Sequence, residues 1–418
     1  MDKTDRPVET LLLARNLAWA LARAHDAVRS RWHPATITIV LSDGGLRLVA
    51  GLPGEPTTTA SVRGLRPVAA PDDMPRGGYV LALDAATLPR IASWVRALPR
   101  DAEVSLTYAP PEPSRVGEIS LASGRADLRL ALALADDAAA GLGQGPDATC
   151  EVTSPDLARA LALALGLGGE HPTEVRVGPA GVRLRSCGGA AAAYVSIAAV
   201  GELPEHEGVA LVRAEYLPLL GRAAKASVGR ARIAVGPGGV LLETDAAAGC
   251  STGVATPPIT DDEAATANRH AAGLAAAWAP LATRRPSLAA QVAVADLRLA
   301  LRRAGLLPLG RAHRADLPVA LTATGDGLTI GCRTDEAGYV EALDGWSTGT
   351  GIVALAHGLL AAALVLDGGD AYLDAGGECD PVRVRTAAGA VAVDAIVMPL
   401  RRHDVASWGA DLRAGRAW

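Results

Sequence analysis

The strongest constraint on the fold of this sequence is a compound pattern that occurs three times along the chain. Each copy begins with a helix candidate whose apolar residues recur at the spacing of one helix face, and alternating strands with glycine turns follow it. The copies begin roughly 130 to 145 residues apart. The leading helices are predicted over residues 11–29, 155–167 and 294–306, with Ser154 as N-cap of the second and Pro155 at its first position.

A hairpin, a second helix and a further pair of strands follow each leading helix. The hairpins are predicted at residues 36–49, 174–186 and 319–331, where apolar and polar residues alternate around a glycine turn. A strand that runs into the second helix follows at 79–98, 209–226 and 351–366, and the last strand pairs lie at 103–123, 231–244 and 371–386. Each unit therefore combines two helices with several antiparallel strands, which predicts the α+β class.

The segments between the repeats set the predicted domain boundaries. Residues 136–147 and 257–286 are interpreted as polar, Ala-rich connectors, although an apolar piece at 274–281 that contains Trp278 could form a short helix. The predicted domains are residues 1–135, 148–257 and 287–402, and residues 403–418 form a C-terminal extension. A length of 418 residues agrees with several domains, because a single hydrophobic core rarely serves so long a chain.

Charge and hydropathy limit the function classes. The formal net charge of −5 argues against a protein whose whole surface attracts nucleic acid, so any DNA contact must come from local groups of arginines. No apolar run reaches the ~20 residues that a membrane-spanning helix needs, and the first residues carry charges rather than an apolar signal segment. The expected location is the cytoplasm, with no membrane partner.

Motifs that would indicate an enzyme do not occur in the sequence. It contains no Gly-rich phosphate loop, no paired-histidine zinc motif and no nucleophile elbow. The five cysteines are far apart and form no Cys-x-x-Cys pair, so we expect free thiols rather than a zinc site or disulfides. The acidic run at 261–263 is interpreted as a solvated segment. We therefore expect no enzymatic activity, no metal and no cofactor.

The end of the third repeat carries the most specific motif, because residues 396–401 read Ile-Val-Met-Pro-Leu-Arg. A strand, acidic turn and strand at 327–343 and a Pro-Val pair at 381–382 precede it, and the first repeat adds a strand, helix and strand at 77–106. In this order, these segments resemble the bacterial sliding-clamp family, the beta subunit of DNA polymerase III, over nearly the whole chain. The chain is identified as a divergent member of that family.

The resemblance implies a DNA-clamp fold of three repeated domains that forms a ring as a head-to-tail homodimer, with a clamp loader as a further partner. Such a ring encircles duplex DNA without reading its sequence, which calls for phosphate contacts by cationic side chains on inward helices. The implied DNA-binding residues are Arg15, Arg23, Arg29, Arg96, Arg159, Arg222, Lys225, Arg298 and Arg302. The residues alone leave open that these side chains are ordinary solvated helix faces.

The resemblance also implies a pocket that binds a short peptide motif of a DNA polymerase or a repair protein. The implied pocket residues are Gly189, Ala192, Pro381, Ile396, Met398, Pro399, Leu400 and Arg401. Methionine suits such a pocket because its flexible side chain adapts to different ligands. The alternative for the same residues is a final core strand with no partner.

Two departures from the family pattern bear on partner binding. The family's Thr-Asp-Gly-His-Arg-Leu-Ala-like segment corresponds here to residues 187–193, Cys-Gly-Gly-Ala-Ala-Ala-Ala, in which the glycine at 189 remains and the polar side chains do not. In the extension, Val405, Trp408 and Leu412 are at helical spacing, so this segment could cover the pocket, reach a partner or form a surface helix. The sequence thus predicts a sliding clamp and processivity factor, or alternatively a specialised clamp paralogue, such as a regulator, decoy or resistance or defence factor, with altered or lost polymerase binding.

Overall fold

A computed structural model describes most of the chain. The described residues are 8–28, 36–42, 45–51, 55–65, 79–109, 118–131, 133–134, 146–227, 229–245, 250–308, 314–334, 337–377, 380–400 and 411–412. The chain divides into two compact units, residues 1–155 with 222–258, and residues 156–221 with 259–418. The second repeat contributes to both units, so the division into three domains stays a prediction.

The first repeat contains the predicted hairpin, two helices and later strands. Its elements are β1 (Val8–Leu13), α1 (Ala14–Val28), β2 (Thr36–Ser42), β3 (Gly45–Ala50), β4 (Thr57–Arg63), β5 (Tyr79–Asp84), α2 (Leu88–Ala97), β6 (Glu103–Ala109), β7 (Glu118–Ser123), β8 (Ala126–Ala131) and β9 (Ala133–Leu134). The helix was predicted to begin at residue 11, which is wrong. Leu11 and Leu12 belong to β1, because they pair with Ser105 and Val104 of β6.

The second repeat has the same order of elements, without a counterpart of β9. These are β10 (Ala148–Thr153), α3 (Ser154–Gly168), β11 (Thr173–Gly178), β12 (Gly181–Cys187), β13 (Ala191–Ile197), β14 (Gly208–Val212), α4 (Leu217–Lys225), β15 (Arg230–Gly236), β16 (Gly239–Asp245) and β17 (Cys250–Thr256). The prediction that Ser154 caps α3 is wrong. Its hydroxyl is buried and forms no hydrogen bond to any residue that the structure describes.

An additional long helix precedes the third repeat. The elements are α5 (Asp261–Thr283), β18 (Leu288–Ala293), α6 (Val294–Ala304), β19 (Pro318–Ala323), β20 (Gly327–Arg333), β21 (Gly338–Gly349), β22 (Ile352–Ala356), α7 (His357–Ala363), β23 (Asp370–Ala375), β24 (Val382–Ala388) and β25 (Val391–Val397). Residues 257–286 were interpreted as a connector with at most a short helix at 274–281. That interpretation is wrong, since α5 has 23 residues.

Antiparallel pairing joins the strands into three sheets. Their strand orders are β1-β6-β7-β8, then β10-β15-β16-β17-β4-β3-β2-β5-β9, and β14-β11-β12-β13-β25-β24-β23-β18-β21-β20-β19-β22. Within the first unit, β4 of the first repeat pairs with β17 of the second, and Val62 is opposite Cys250. Within the second unit, β13 pairs with β25, and Ala192 is opposite Ile396. In each unit a sheet therefore continues from one repeat into the next.

Mostly aliphatic side chains fill the core, since the sequence contains no phenylalanine, and Tyr108 and Tyr216 are buried with them. In the first unit, Leu17 and Leu21 of α1 and Leu88 of α2 are buried in one cluster with strand residues such as Leu48 and Leu81. Full burial of a leucine side chain contributes about 1.5–3 kcal/mol relative to exposure. The alternation of buried and exposed residues along β2 and β6 fixes which strand face meets these helices.

The described end of the chain contributes one buried side chain to the second unit. Leu412 is 1% exposed and lies in a cluster with Ala320, Ile352 and Ala354. Gly331 in the middle of β20 leaves room for it, because a Cβ atom there would lie 2.1 Å from Leu412 Cδ2. The backbone of Gly331 has no positive φ, so the space for Leu412 is what requires glycine. Val405 and Trp408 lie outside the described residues.

We expect Gly331→Ala to lower the free energy of unfolding by about 1–3 kcal/mol, because the added methyl group overlaps Leu412. Leu412→Ala should lower it by about 2–5 kcal/mol through the cavity it leaves. The double variant should lose less than the sum, because the alanine at 331 then enters vacated space. Denaturant unfolding of the four proteins measures this coupling, and strict additivity would contradict the contact.

Candidate functional site

The predicted pocket residues from the second and third repeats meet where β13 pairs with β25. Ala192 is directly opposite Ile396 in this pair. Beyond the last paired residues, the N–H of Met398 donates a hydrogen bond of 2.8 Å to the carbonyl oxygen of Ala190. Gly189 precedes this contact by one residue, and a Cβ atom built on it would meet open space. The structure therefore brings these predicted residues together although some 200 residues of sequence separate them.

The remaining predicted pocket residues flank the same end of the sheet. Pro381 immediately precedes β24, whose Val382 is opposite Val397, the last residue of β25. After β25 the chain reaches Leu400, whose N–H donates a hydrogen bond of 2.8 Å to the carbonyl oxygen of Ala354. Leu400 also packs against the cluster that contains Leu412. Pro399 lies between these contacts and is partly exposed, and Arg401 lies outside the described residues.

Exposure divides the predicted pocket residues into two groups. Met398 is 40% exposed, Gly189 is exposed, and Pro381 and Leu400 are partly exposed. Ala192 and Ile396 are 0% and 1% exposed. Side chains alternate between the faces of a strand, so Ala192 lies on the same face of β13 as Tyr194, which is 40% exposed. The segment that shields Ala192 from solvent must therefore pack on this outer face of the sheet.

Helix α5 packs against that outer face. The sequence contains a signal for the residue at which this helix begins. The N–H of Thr260 donates to Glu263 Oε2 at 2.9 Å, and the N–H of Glu263 donates to Thr260 Oγ1 at 3.4 Å. This reciprocal pair is a capping box, which marks a helix N-terminus. The alanine-rich sequence that follows favours a helix, because alanine has the highest helix propensity.

The first turn of α5 is joined to the residue that follows β14. The guanidinium of Arg213 donates two hydrogen bonds to the Glu263 carboxylate, at 2.9 and 3.1 Å. These bonds, followed by the bond from the Thr260 N–H, hold the pKa of Glu263 below its usual value. The acidic run at 261–263 was interpreted as solvated, which is wrong for Glu263 because it is paired.

Farther along, α5 contacts β12 and β13. The Cys187 thiol at the end of β12 lies 3.4 Å from the carbonyl oxygen of His270 and donates to it. The ring of Trp278 lies 4.7 Å from the ring of Tyr194 on β13, measured between centroids. Aromatic pairs at this separation and a tilted angle attract each other. The His270 ring also contacts the ring of His171, with centroids 4.1 Å apart.

The predicted DNA-binding residues differ in their partners. Four form ion pairs, namely Arg15 with Asp101 at 2.8 Å, Arg23 with Asp26 at 3.1 Å, Arg159 with Asp156 at 3.1 Å, and Arg298 with Asp367. Four others are exposed and form no ion pair with any residue that the structure describes, namely Arg96, Arg222, Lys225 and Arg302. Arg29 lies outside the described residues. In the second group, no ion-paired carboxylate among the described residues competes with a phosphate.

Cationic side chains from α3 and α6 lie near a single carboxylate. Asp367, which follows α7, accepts a hydrogen bond from Arg298. This bond and the charge of Arg298, followed by the charges of Arg159 and Arg302, lower the pKa of Asp367. A position that favours a carboxylate in this way also favours a phosphate oxygen, because both are anionic acceptors. Residues that are far apart in the sequence therefore place cationic side chains around one carboxylate.

The described cysteines are free thiols, and the described residues offer no cluster of metal ligands. Cys150, Cys250 and Cys332 are buried and Cys187 is half-buried, and all four are free thiols, as predicted. Burial raises their pKa values, that of Cys332 to about 12. No group of three or more His, Cys, Asp or Glu side chains that could hold a metal ion occurs among the described residues. Cys379 lies outside them.

Comparison with solved structures identifies the fold. The chain is similar to the DNA polymerase sliding clamp of Bacillus subtilis, with a TM-score of 0.70 and 16% identity, over 94% of this chain and 99% of that chain. The fold is that of the bacterial sliding clamps. A Pseudomonas aeruginosa sliding clamp bound to griselimycin gives a TM-score of 0.68 at 14% identity, with coverage of 94% and 99%. No protein-family model and no curated protein matches the sequence.

The clamp fold confirms the predicted α+β class, and the resemblance drawn from the chain's motifs is confirmed at the level of the fold. No helix in the described ranges is long and apolar enough to cross a membrane. The DNA-binding and pocket assignments stay predictions.

The four cations that form no ion pair within the described ranges give a test of the DNA assignment. We expect Arg96→Ala, Arg222→Ala, Lys225→Ala and Arg302→Ala, combined in one variant, to weaken binding of a duplex. The slope of log affinity against log salt should fall by about 0.9 for each phosphate that the variant no longer neutralises. Fluorescence anisotropy across a salt series measures both quantities.

The matched control for this variant removes the same charge from strands, with Arg183→Ala, Arg230→Ala, Arg232→Ala and Arg385→Ala. These arginines form ion pairs with Glu207, Glu151, Glu243 and Asp374, respectively. The control should keep nearly all of its duplex affinity. An equal loss of duplex affinity in both variants would indicate a general charge effect and contradict the assignment of DNA binding to the helix residues.

The Arg213–Glu263 pair predicts a pH dependence. The folded-state pKa of Glu263 is lowered, so the pair stabilises the protein above the unfolded pKa of about 4.3 and is lost as pH falls through the folded pKa. We expect Glu263→Gln to lower the free energy of unfolding at pH 7 by less than about 1 kcal/mol, because the pair is partly exposed. That difference should shrink below pH 4, and a constant difference from pH 3 to 7 would contradict it.

Proposed function

We propose that this chain is a divergent sliding clamp that encircles duplex DNA and tethers a polymerase or repair protein through a peptide-binding pocket. The solved proteins with the same fold are named DNA polymerase sliding clamps, and we assign that role to this chain. It takes residues 1–135, 148–257 and 287–402 as three clamp domains. A duplex-DNA partner would place the protein in the cytoplasm, and a tether of this kind performs no chemical step of its own.

The observation that carries the proposal is the repeated way in which the sheets join. In the first repeat the third strand of the hairpin sheet, β4, pairs with β17, which is the last strand of the second repeat. In the second repeat the corresponding strand, β13, pairs with β25, which is the last strand of the third repeat. β17 and β25 are each the third strand after the second helix of their repeat, and β8 has that place in the first repeat. The same rule applied once more would pair β21 of the third repeat with β8 of the first.

Both of these strands have an edge available for such a pair. β8 is the end strand of the four-stranded sheet. Residues 338–344 of β21 pair with β20 and residues 345–349 pair with β18, so one side of 338–344 has no strand partner among the described residues. A free edge presents unpaired N–H and C=O groups to another strand. We infer that β21 of one chain pairs with β8 of a second copy, in a head-to-tail dimer that closes a ring.

Closure can be tested at β8. The purified protein should have about twice the chain mass of 42.5 kDa by light scattering. Successive N–H groups point to opposite sides of a strand, so Asp127→Pro and Leu128→Pro should be made separately. The variant that removes the N–H on the free edge should shift the mass to that of a single chain. Proline is tolerated on an edge strand, so the fold should survive.

The matched control is Glu9→Pro in β1, the other end strand of the same sheet, which should remain dimeric. A wild-type protein that stays monomeric at all concentrations would overturn ring closure. A closed ring also predicts that the protein remains on circular plasmid during gel filtration and leaves it once the plasmid is linearised. Equal retention on both forms would indicate ordinary binding instead.

A second candidate function is a specialised clamp paralogue with altered or lost polymerase binding. It is supported by α5, which contacts the strands that carry the predicted pocket residues, and by the small side chains at 187–193. Both features make the surface presented to a partner different from the family pattern. A peptide that binds to Met398 and the neighbouring residues would favour the tethering clamp over this candidate.

A further inference from the structure

Three small or apolar side chains form a row across the outer face of the second unit's sheet. Cys187 on β12 is opposite Ala192 on β13, and Ala192 is opposite Ile396 on β25. Residues directly opposite each other in antiparallel strands project from the same face. Two members of the row, Ala192 and Ile396, are predicted pocket residues, and Met398 follows two positions after Ile396. The row is therefore the apolar floor of the predicted pocket.

Helix α5 contacts this face on two sides of Ala192. On one side, the thiol of Cys187 donates to the carbonyl oxygen of His270 at 3.4 Å. On the other, Tyr194, two residues along β13 and on the same face, contacts the ring of Trp278. Ala192 lies between these two contacts and is 0% exposed. The middle and the C-terminal part of α5 thus pass over the floor that a partner peptide would use.

We propose that α5 is an intramolecular ligand of the partner pocket, and that a partner peptide binds the pocket floor only when α5 moves away. The inference rests on the proposed function, and it adds a regulatory element to that site. The occupant of the floor is a segment of the same chain, the alanine-rich helix α5. The competing ligand is a peptide that offers apolar side chains to Cys187, Ala192 and Ile396.

The described side chains of α5 pack lightly for the length of the helix, which suits a segment that is displaced. Among its described side chains, only Ala271 is buried, and it is still 8% exposed. By comparison, α6 buries five side chains with 11 residues. Alanine buries little apolar area, and hydrophobic stabilisation is proportional to the area buried. The contacts of Glu263 and Trp278 are therefore among the main ones that the described side chains of α5 make.

The first test removes these two contacts and leaves the pocket residues unchanged. The variant is Glu263→Gln with Trp278→Ala, and the probe is griselimycin, which is bound to the Pseudomonas aeruginosa clamp. We expect the variant to bind griselimycin at least 10-fold more tightly than the wild type by isothermal titration calorimetry. The matched control is Ala272→Gln with Ala276→Gln on the exposed side of α5, which should leave the affinity unchanged.

The second test separates the helix from the chain, so that the proposal does not depend on one variant. Residues 261–283 are replaced by a Gly-Ser linker of equal length, and a labelled synthetic peptide of residues 259–284 is added as the probe. The peptide should bind the replaced chain at least 10-fold more tightly than the wild type, whose site is filled by its own α5. Circular dichroism and solution mass verify that the replaced chain is folded.

The outcomes distinguish this inference from the proposed function. Failure of the peptide to bind the folded, replaced chain overturns the inference, whether or not griselimycin binds. Binding of the peptide and competition with griselimycin support both. Binding of the peptide to the replaced chain, without griselimycin binding to any of the proteins, overturns the clamp-type pocket and leaves α5 supported as an intramolecular ligand of this face. Equal affinity of wild type and replaced chain for the peptide also overturns the inference.

Discussion

Backbone pairing between repeats is the interaction on which the rest of this structure depends. Each repeat by itself would leave an open strand edge, and such edges expose unpaired hydrogen-bonding groups. The chain satisfies them with β4 on β17 and β13 on β25, in the same antiparallel sense. These pairs fix where the predicted pocket residues meet, because the register that sets Ala192 opposite Ile396 also brings Met398 to Ala190.

The poor match at residues 187–193 and the presence of α5 have one physical explanation. Long polar side chains at these positions would hold a helix away from the sheet, whereas cysteine, glycine and alanine allow it to approach. Here Cys187 contacts the backbone of α5 directly, through the carbonyl oxygen of His270. The small residues of this segment therefore allow the alanine-rich helix to approach the sheet at Cys187.

Local periodicity predicted most elements, since helices and strands have characteristic repeats of apolar residues. The errors arose where that signal is weak. The run at Leu11–Leu13 fits a helix or a strand, and only pairing with β6 decides between them. Helix α5 was missed because alanine produces little apolar periodicity, although the Thr260–Glu263 capping box was visible. The partners Asp101 and Asp367 of Arg15 and Arg298 lie 86 and 69 residues away, beyond any local signal.

The ion pairs of the predicted DNA-binding arginines agree with the proposal of a ring that would move along DNA. A carboxylate beside a cation competes with phosphate, so Arg15, Arg159 and Arg298 would exchange one anionic partner for another. The net gain from such an exchange is smaller than the gain from a free cation. A net charge of −5 lowers long-range attraction further. Weak contact would let the protein slide along the duplex, so retention would depend on closure through the same edge pairing that joins the repeats.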